Sequence, residues 1–380
     1  MINNSDILYL INYTGEIIYP IQAPQQFIKP SYNKFLSSGY NSFIMDFTLH
    51  LTFPEDLQAE WNALLDGSVT HVPFLRYEYL SAWWKYLGGG EWTKADLAVV
   101  TARENGKLVG IAPLFHVKRD NQDTLMLLGS IEISDYLDLI IRAADVDRFL
   151  AELLPFLAGS TFPKWGALEL DNVLESSPTL PALEKVARSL GWKYSAEKLS
   201  HCPYIPLPGD FDLYLAGIDK KQRHEIRRKM RRVDQNASLC RWYFSEDPET
   251  IGSDIDAFIS LMAMDHDKAT FLTPPMREMM KEVIRCAFEN GCLKLAFLEI
   301  EGKKAAAYLN FDYLDRVWVY NSGLDWTFNE YSPGWVLLGY LLKWANENHR
   351  TEFDFMRGGE DYKYRFGAID RFVMRATVTK

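Results

Sequence analysis

The chain has 380 residues, 48% hydrophobic and 14% aromatic, which exceeds the usual size of one core and suffices for two. Its net charge of −10 excludes a general nucleic-acid binder, whose phosphate contacts demand an excess of Lys and Arg. There is no apolar run of about 18 residues, and four cysteines without a CxxC pair fit a reducing compartment better than a disulfide scaffold.

Residues 1–44 hold scattered Ile and Tyr among turn residues and are expected to form an N-terminal extension with little regular structure. From residue 45 a first domain opens with two helices, PEDLQAEWNALL and RYEYLSAWWKYL. In the second helix Tyr79, Trp83 and Tyr86 recur at helical spacing, as a core stripe does. Strand-like runs follow at 97–102, 108–116, 124–128 and 136–141, the first two joined as a hairpin through Glu104-Asn105-Gly106-Lys107. A helix is expected at 147–157, a strand at 167–170 and a helix at 180–190. The prolines at 203, 206 and 208 then mark a linker, so the domains are read as 45–206 and 207–380.

The second domain starts with a helix carrying eight basic residues against one acid over 220–232. Ile226, Met230 and Val233 give it one apolar edge, so packing with a solvated basic face is the preferred reading over a dedicated anion site. A helix at 254–264 runs into Asp265-His266-Asp267-Lys268, where a flanking carboxylate can hold an imidazole tautomer and raise its basicity. Runs at 293–300 and 304–311 form a hairpin around Glu301-Gly302-Lys303, and 317–320 adds a further strand. Ser332 and Pro333 suit the N-cap and first position of a helix ending near Asn348, which is apolar on nearly every side and so buried. With a short strand at 353–355 this makes a parallel β-α-β unit, whose free helix N–H groups favour an anion. The RGGEDYKYRFG run after it mixes aromatic and charged residues on one loop. Gly358-Gly359 there permits close backbone approach.

The motifs YNSGLD, YSPG opening a helix, and FDFMRGGEDYKYRFG resemble the CelD-like (BcsL-like, BioF2-like) acyltransferases of the GNAT superfamily, relatives of the FemAB transferases. AWWKYLGGGEW, KLVGIAPLF and GSIEISDYLDLII extend the resemblance to the first half. It implies an α/β (α+β) chain of two tandem GNAT-like domains, each a mixed, largely antiparallel sheet flanked by helices. It also implies cytoplasmic transfer of an acyl group from acyl-CoA, acetyl-CoA first, to an amine of a small molecule or saccharide precursor, with no metal and no DNA partner. On that reading Tyr320, Asn321, Ser322, Tyr331, Ser332, Pro333 and Gly334 would lie along the cofactor. His266, Glu360, Asp361 and Tyr362 would serve the proton transfers, with Tyr331 and Tyr364 as further acids. Lys268, Arg357, Gly358, Lys363 and Arg365 would hold the substrate. The YSPG turn departs from the usual Arg/Gln-x-x-Gly-x-Gly/Ala phosphate loop, and its proline removes one amide donor. Two alternatives therefore stand beside it: a FemAB-like transferase using aminoacyl-tRNA, and a degenerate GNAT pair that only binds.

Overall fold

In the first half of the computed structural model, which describes residues 45–92 and 94–380, strands alternate with helices in the expected order. They are β1 (Asp46–His50), α1 (Gln58–Leu65), α2 (Tyr77–Leu87), β2 (Ala95–Leu97), β3 (Val99–Glu104), β4 (Lys107–Ala112) and β5 (Leu114–Arg119). Then come β6 (Gln122–Leu127), β7 (Ile140–Ile141), α3 (Val146–Leu157), β8 (Ala167–Leu174), α4 (Thr179–Ser189) and β9 (Lys193–His201). The second half opens with β10 (Tyr204–Pro206), α5 (Phe211–Gly217), α6 (Lys220–Asp234), β11 (Cys240–Phe244), α7 (Ile251–Met262), α8 (His266–Phe271) and α9 (Pro274–Glu289). It closes with β12 (Leu293–Ile300), β13 (Lys303–Tyr313), β14 (Arg316–Leu324), α10 (Pro333–Glu347), β15 (Glu352–Asp354), α11 (Asp361–Arg365) and β16 (Phe372–Thr379). The expectations for residues 1–44 lie outside the described residues.

Three sheets result: β1-β3-β4-β7 is wholly antiparallel, and β2-β5-β6-β8-β16-β9 and β10-β15-β14-β13-β12-β11 are mixed, each through one parallel pair. The first half has two sheets where a single meander was expected. Pro113 separates β4 from β5 because it has no N–H to give the ladder, and the backbone continues through Ala98 N–H to Leu114 O at 3.0 Å. Two-residue turns with positive φ at both centres, Asn105-Gly106 and Glu301-Gly302, close the two expected hairpins as right-twisted strands require.

Both halves contain the same parallel unit. β6 and β8 pair over three residues, Thr124 to Met126 against Ala167 to Glu169, and then diverge. β14 and β15 likewise pair over three, Arg316 to Trp318 against Glu352 to Asp354, with α10 as the crossover. Each unit is therefore a fork. The second fork carries the β-α-β expected from the sequence.

Several boundaries differ from expectation. The linker at 201–208 contains β10, which pairs with β15 between its prolines. The C-terminal strand β16 leaves the second half and lies between β8 and β9, so the segment 207–380 does not keep all its strands together. β9, β11 and β16 were not apparent in the sequence, since none shows a clean apolar alternation bounded by turns. Of the run 136–141 only Ile140 and Ile141 are strand. Asp265-His266-Asp267-Lys268 opens a helix instead of ending one: Asp265 caps α8, accepting from the backbone of Asp267 and Lys268. The 357–367 run is not all loop, because 361–365 close a turn of helix.

One core joins the halves. Phe74 packs edge-on against Phe311 at 6.0 Å and beside Tyr320 at 5.6 Å, while α2 lies along α9. A second core covers the other face of the last sheet, where α10 is buried beneath Ile226, Met230 and Val233 of α6, the apolar edge the sequence showed. Gly323 is set tightly against α7: a Cβ there would stand 2.5 Å from the Met262 backbone nitrogen. Gly323→Ala is therefore expected to destabilise the protein by about 1–3 kcal/mol in urea unfolding, through overpacking against backbone. An unchanged midpoint would show that α7 yields freely.

Candidate functional site

The second fork gathers most of the predicted site residues. β14 carries a bulge: Asn321 faces Leu309 and Val319 faces Asn310, which leaves Tyr320 as the extra residue. Bulges re-aim side chains. Tyr320 turns toward the first half, where its hydroxyl donates to Ile133 O at 3.1 Å and lies 3.5 Å from the Tyr79 hydroxyl. Burial raises its pKa. Beyond Trp318, β14 has no strand on its β15 side among the described residues, so its polar groups there are answered by side chains. Ser322 N–H donates to Asn321 Oδ1 at 2.8 Å, and Ser322 O accepts from Lys268 Nζ at 2.6 Å.

Lys268 reaches that edge from α8. Burial lowers its pKa, opposed by the nearby carboxylates of Asp265 and Glu360. Tyr308 stands opposite Ser322 on β13, and Tyr362 stands close by on α11. Neither phenol has a hydrogen-bond partner among the described residues, and burial raises the pKa of both, so each keeps its proton. Tyr308 was not found from the sequence. The available signal was its place in the run Ala305-Ala306-Ala307-Tyr308, a lone polar tip on a strand of small residues.

The loop after β15 is held by its own charges. Lys363 is buried at 3% exposure, and its Nζ reaches Arg357 O at 2.9 Å, Gly358 O at 2.8 Å and Glu360 Oε2 at 2.8 Å. Three protons meet three oxygens, so Lys363 is saturated and shapes the loop. Gly358 has φ +106, and a Cβ on it would strike the Glu360 carboxylate at 2.6 Å. Arg357 is likewise engaged, donating to Asp135 Oδ1 at 2.6 Å and to Glu132 O, with Asn172 Oδ1 at 3.4 Å. Its charge is therefore matched by the first half before any substrate arrives. Asp361 and Arg365 are exposed and pair with each other at 3.9 Å, outside the fork. His266 opens α8 with an exposed side chain, two residues from Lys268. Tyr364 donates to Asp370 at 2.8 Å, and burial with that bond pushes its pKa up to about 12.

Beside the fork, the N-terminus of α10 floors an open pocket of about 530 Å³. Lys229, Leu324, Asp325, Trp326, Ser332 and Pro333 are among its lining residues. Ser332 takes the N-cap position but in a left-handed conformation, φ 51, and its side chain makes no capping bond, contrary to the usual role of serine there. Gly334 packs against Leu324. Tyr331 lies under the Arg232 guanidinium at 5.2 Å, and Arg232 also donates to Glu330 O at 2.9 Å. Lys229 sits over the Trp335 ring at 4.7 Å, while the shielded indole N–H of Trp335 has no partner among the described residues. A cation and free helix amides thus meet at one opening that the Asp325 carboxylate also lines, while the Trp335 indole nitrogen is shielded from solvent. Among the described residues no His, Cys, Asp and Glu cluster suits a metal ion, and all four cysteines are free thiols.

No curated protein matches the chain. Among solved structures, FemX shares the fold with TM-score 0.63 at 13% identity, over 87% of this chain and 97% of that one. A conserved protein of unknown function from Bacteroides thetaiotaomicron VPI-5482 follows, with TM-score 0.57, 13% identity and coverage of 89% and 100%. The C-terminal domain of a putative lysylphosphatidylglycerol synthetase from Agrobacterium fabrum gives TM-score 0.53, 10% identity and coverage of 86% and 92%. Residues 220–364 match the family model described as an acetyltransferase (GNAT) domain, so the segment holding the second fork carries that domain's signature within a fold shared with FemX.

Proposed function

We propose that the protein is an N-acyltransferase that moves an acyl group from acyl-CoA, held in the second fork, to an amine of a small molecule or saccharide precursor. The observation that carries this is the unpaired edge of β14 past Trp318, with the pocket at the N-terminus of α10, lined by Lys229 and Asp325, at its end. An acyl-pantetheine arm has amides that can add to such an edge as a strand does. Its phosphates would meet Lys229 and the first-turn amides of α10. The proline in the YSPG turn removes one amide, and the Lys229 cation would supply what it lacks.

In the transfer, the amine must lose a proton and attack the acyl carbonyl while the leaving thiolate gains one. Glu360, exposed beside Lys268, is the carboxylate placed to take the amine proton, directly or through water. Lys268 Nζ at the β14 edge is placed to meet the developing oxyanion. Tyr362, partly buried, is the phenol that would protonate the thiolate, with the more deeply buried Tyr308 near it. The likeness to FemX supports a second donor, aminoacyl-tRNA, for which the exposed basic face of α6 offers a phosphate surface.

Thermal unfolding with coenzyme A, acetyl-CoA, longer acyl-CoAs and mixed aminoacyl-tRNA tests this. A donor at about 100 times its dissociation constant should stabilise the protein by roughly 2.7 kcal/mol. Lys229→Glu should abolish the gain from CoA. A gain with aminoacyl-tRNA alone would shift the donor, and no gain with either would leave a binding module without donor.

A further inference from the structure

The two forks are built alike: parallel strands paired over three residues, a helix as crossover, divergence at the carboxyl ends. Two forks suggest two donor sites. The structure assigns only one: we infer that this chain takes up a single acyl donor, because residues 128–138 fill the first fork, and that this filled half serves as a wall of the second half's site. The inference rests on the donor reading proposed above.

The first observation is what occupies each gap. In the first fork, Leu137 N–H donates to Asn172 O at 2.9 Å, so the chain itself pairs with β8 where the strands have parted. The Asn172 side chain then donates to Ile131 O at 2.8 Å and Ser134 O at 2.9 Å. Asp138, fully buried, anchors the far end by accepting from Thr70 at 2.7 Å, Ser177 at 2.6 Å and its neighbour's N–H at 2.8 Å. Ser134, Tyr136 and Leu137 are wholly buried. Among the described residues no backbone pairs with β14 on that side beyond Trp318: Lys268 reaches Ser322 O from α8, and residues 132–136 meet the second fork through the side chains of Tyr320, Tyr136 and Arg357 instead of by strand pairing.

The second observation concerns charge at the crossover helices. α3 begins with Asp145 at its cap and Asp147 in its first turn, so carboxylates already face the positive end of its dipole and would repel a phosphate. α10 has no acidic residue in its first turn and has Lys229 beside it. Although Asp325 lines the pocket of α10, the carboxylates within the first turn set α3 against a phosphate more than α10.

The filling segment is also held from the other side, which makes it a wall and not a lid. Arg357 grips Asp135 and Glu132 O, Tyr320 and Tyr79 both donate to Ile133 O, and the Tyr136 hydroxyl donates to Asp354 at 3.0 Å. To empty the first fork would unseat Tyr320 and Arg357 at the second.

Calorimetric titration with coenzyme A, with hydrogen exchange on the same complex, tests the count and the place. One equivalent per chain is expected, with amide protection at 319–324 and in the first turn of α10. Residues 128–138 and the first turn of α3 should exchange as in the free protein. Two equivalents, or protection at 128–138, would overturn the single-site inference while leaving the donor reading intact. Should coenzyme A not bind, the same measurements with aminoacyl-tRNA apply, and protection of the first fork would overturn the inference equally. Uptake of neither would end the donor reading and the inference with it.

Discussion

Replacing Arg371 with methionine is expected to cost about 3–5 kcal/mol of stability, more than any surface change in this protein. Arg371 lies at the start of β16, between the halves. Its guanidinium donates to Glu352 Oε1 at 2.5 Å and to Asp354 Oδ2, and stacks on Tyr204 at 4.2 Å. Asp354 is fully buried, at the residue where β14 and β15 part, and also accepts from Tyr136 at 3.0 Å and Met356 N–H at 2.7 Å. Without Arg371 two neighbouring carboxylates lose their cation in a dry site.

The pH dependence has a definite sign. Burial pushes the Asp354 carboxyl up to about 6 from its ordinary 3.8, even beside the guanidinium. A folded pKa above the unfolded one means the folded protein binds the extra proton, so this group's contribution falls as pH rises through that window. Loss of Arg371 raises the carboxyl pKa further, so the variant's deficit should widen above about pH 6 and shrink on acidification. Denaturant unfolding at several pH values measures it. Adding Asp354→Asn to Arg371→Met should recover part of the loss; a pH-independent deficit would show that packing on Tyr204, and not charge, is what Arg371 supplies.

The second large effect is on turnover. Tyr362→Phe is expected to lower kcat by about 10²–10⁴-fold with little change in KM, since it removes a proton donor and almost no volume. Tyr308→Phe should cost less, because Tyr308 is buried at 6% exposure whereas Tyr362 is only partly buried. Both phenols stay protonated at neutral pH because burial raises their pKa, so neither should produce an alkaline limb below about pH 10. Thiol release from the acyl-CoA that stabilises the protein provides the assay. Full activity in Tyr362→Phe would move the acid to another group and return Tyr364 to candidacy.

How much was legible depends on how local each feature is. The basic helix with its edge of Ile226, Met230 and Val233 was readable because period 3.6 is written in a single stretch, and so was the apolar crossover helix after Ser332-Pro333. The parallel β-α-β unit followed from strand, helix and strand in series. Of the candidate residues, Lys268, Ser322, Glu360 and Tyr362 do come together at the fork. Tyr308 was hidden because only pairing with β14 places it opposite Ser322. Arg357 and Lys363 looked like free cations, since a sequence does not display the carbonyls and the Asp135 carboxylate that engage them from far along the chain or from the same loop's own turn.

The sequence by itself determined the helices, the hairpins and the character of the last parallel unit, because periodicity, proline and glycine act within a few residues. The tertiary structure decided which fork stays open and where the last strand goes. β16 mixes apolar with polar residues, and its place between β8 and β9 is set by partners more than 170 residues away. The filling of the first fork has the same origin: residues 129–135 carry no strand pattern, the strand-like run from 136 is strand only at Ile140 and Ile141, and hydrogen bonds to Asn172, Thr70, Tyr320, Asp354 and the Arg357 guanidinium hold the segment there. Long-range hydrogen bonds between polar groups leave no period in a sequence, which is why the site's chemistry was partly visible and its walls were not.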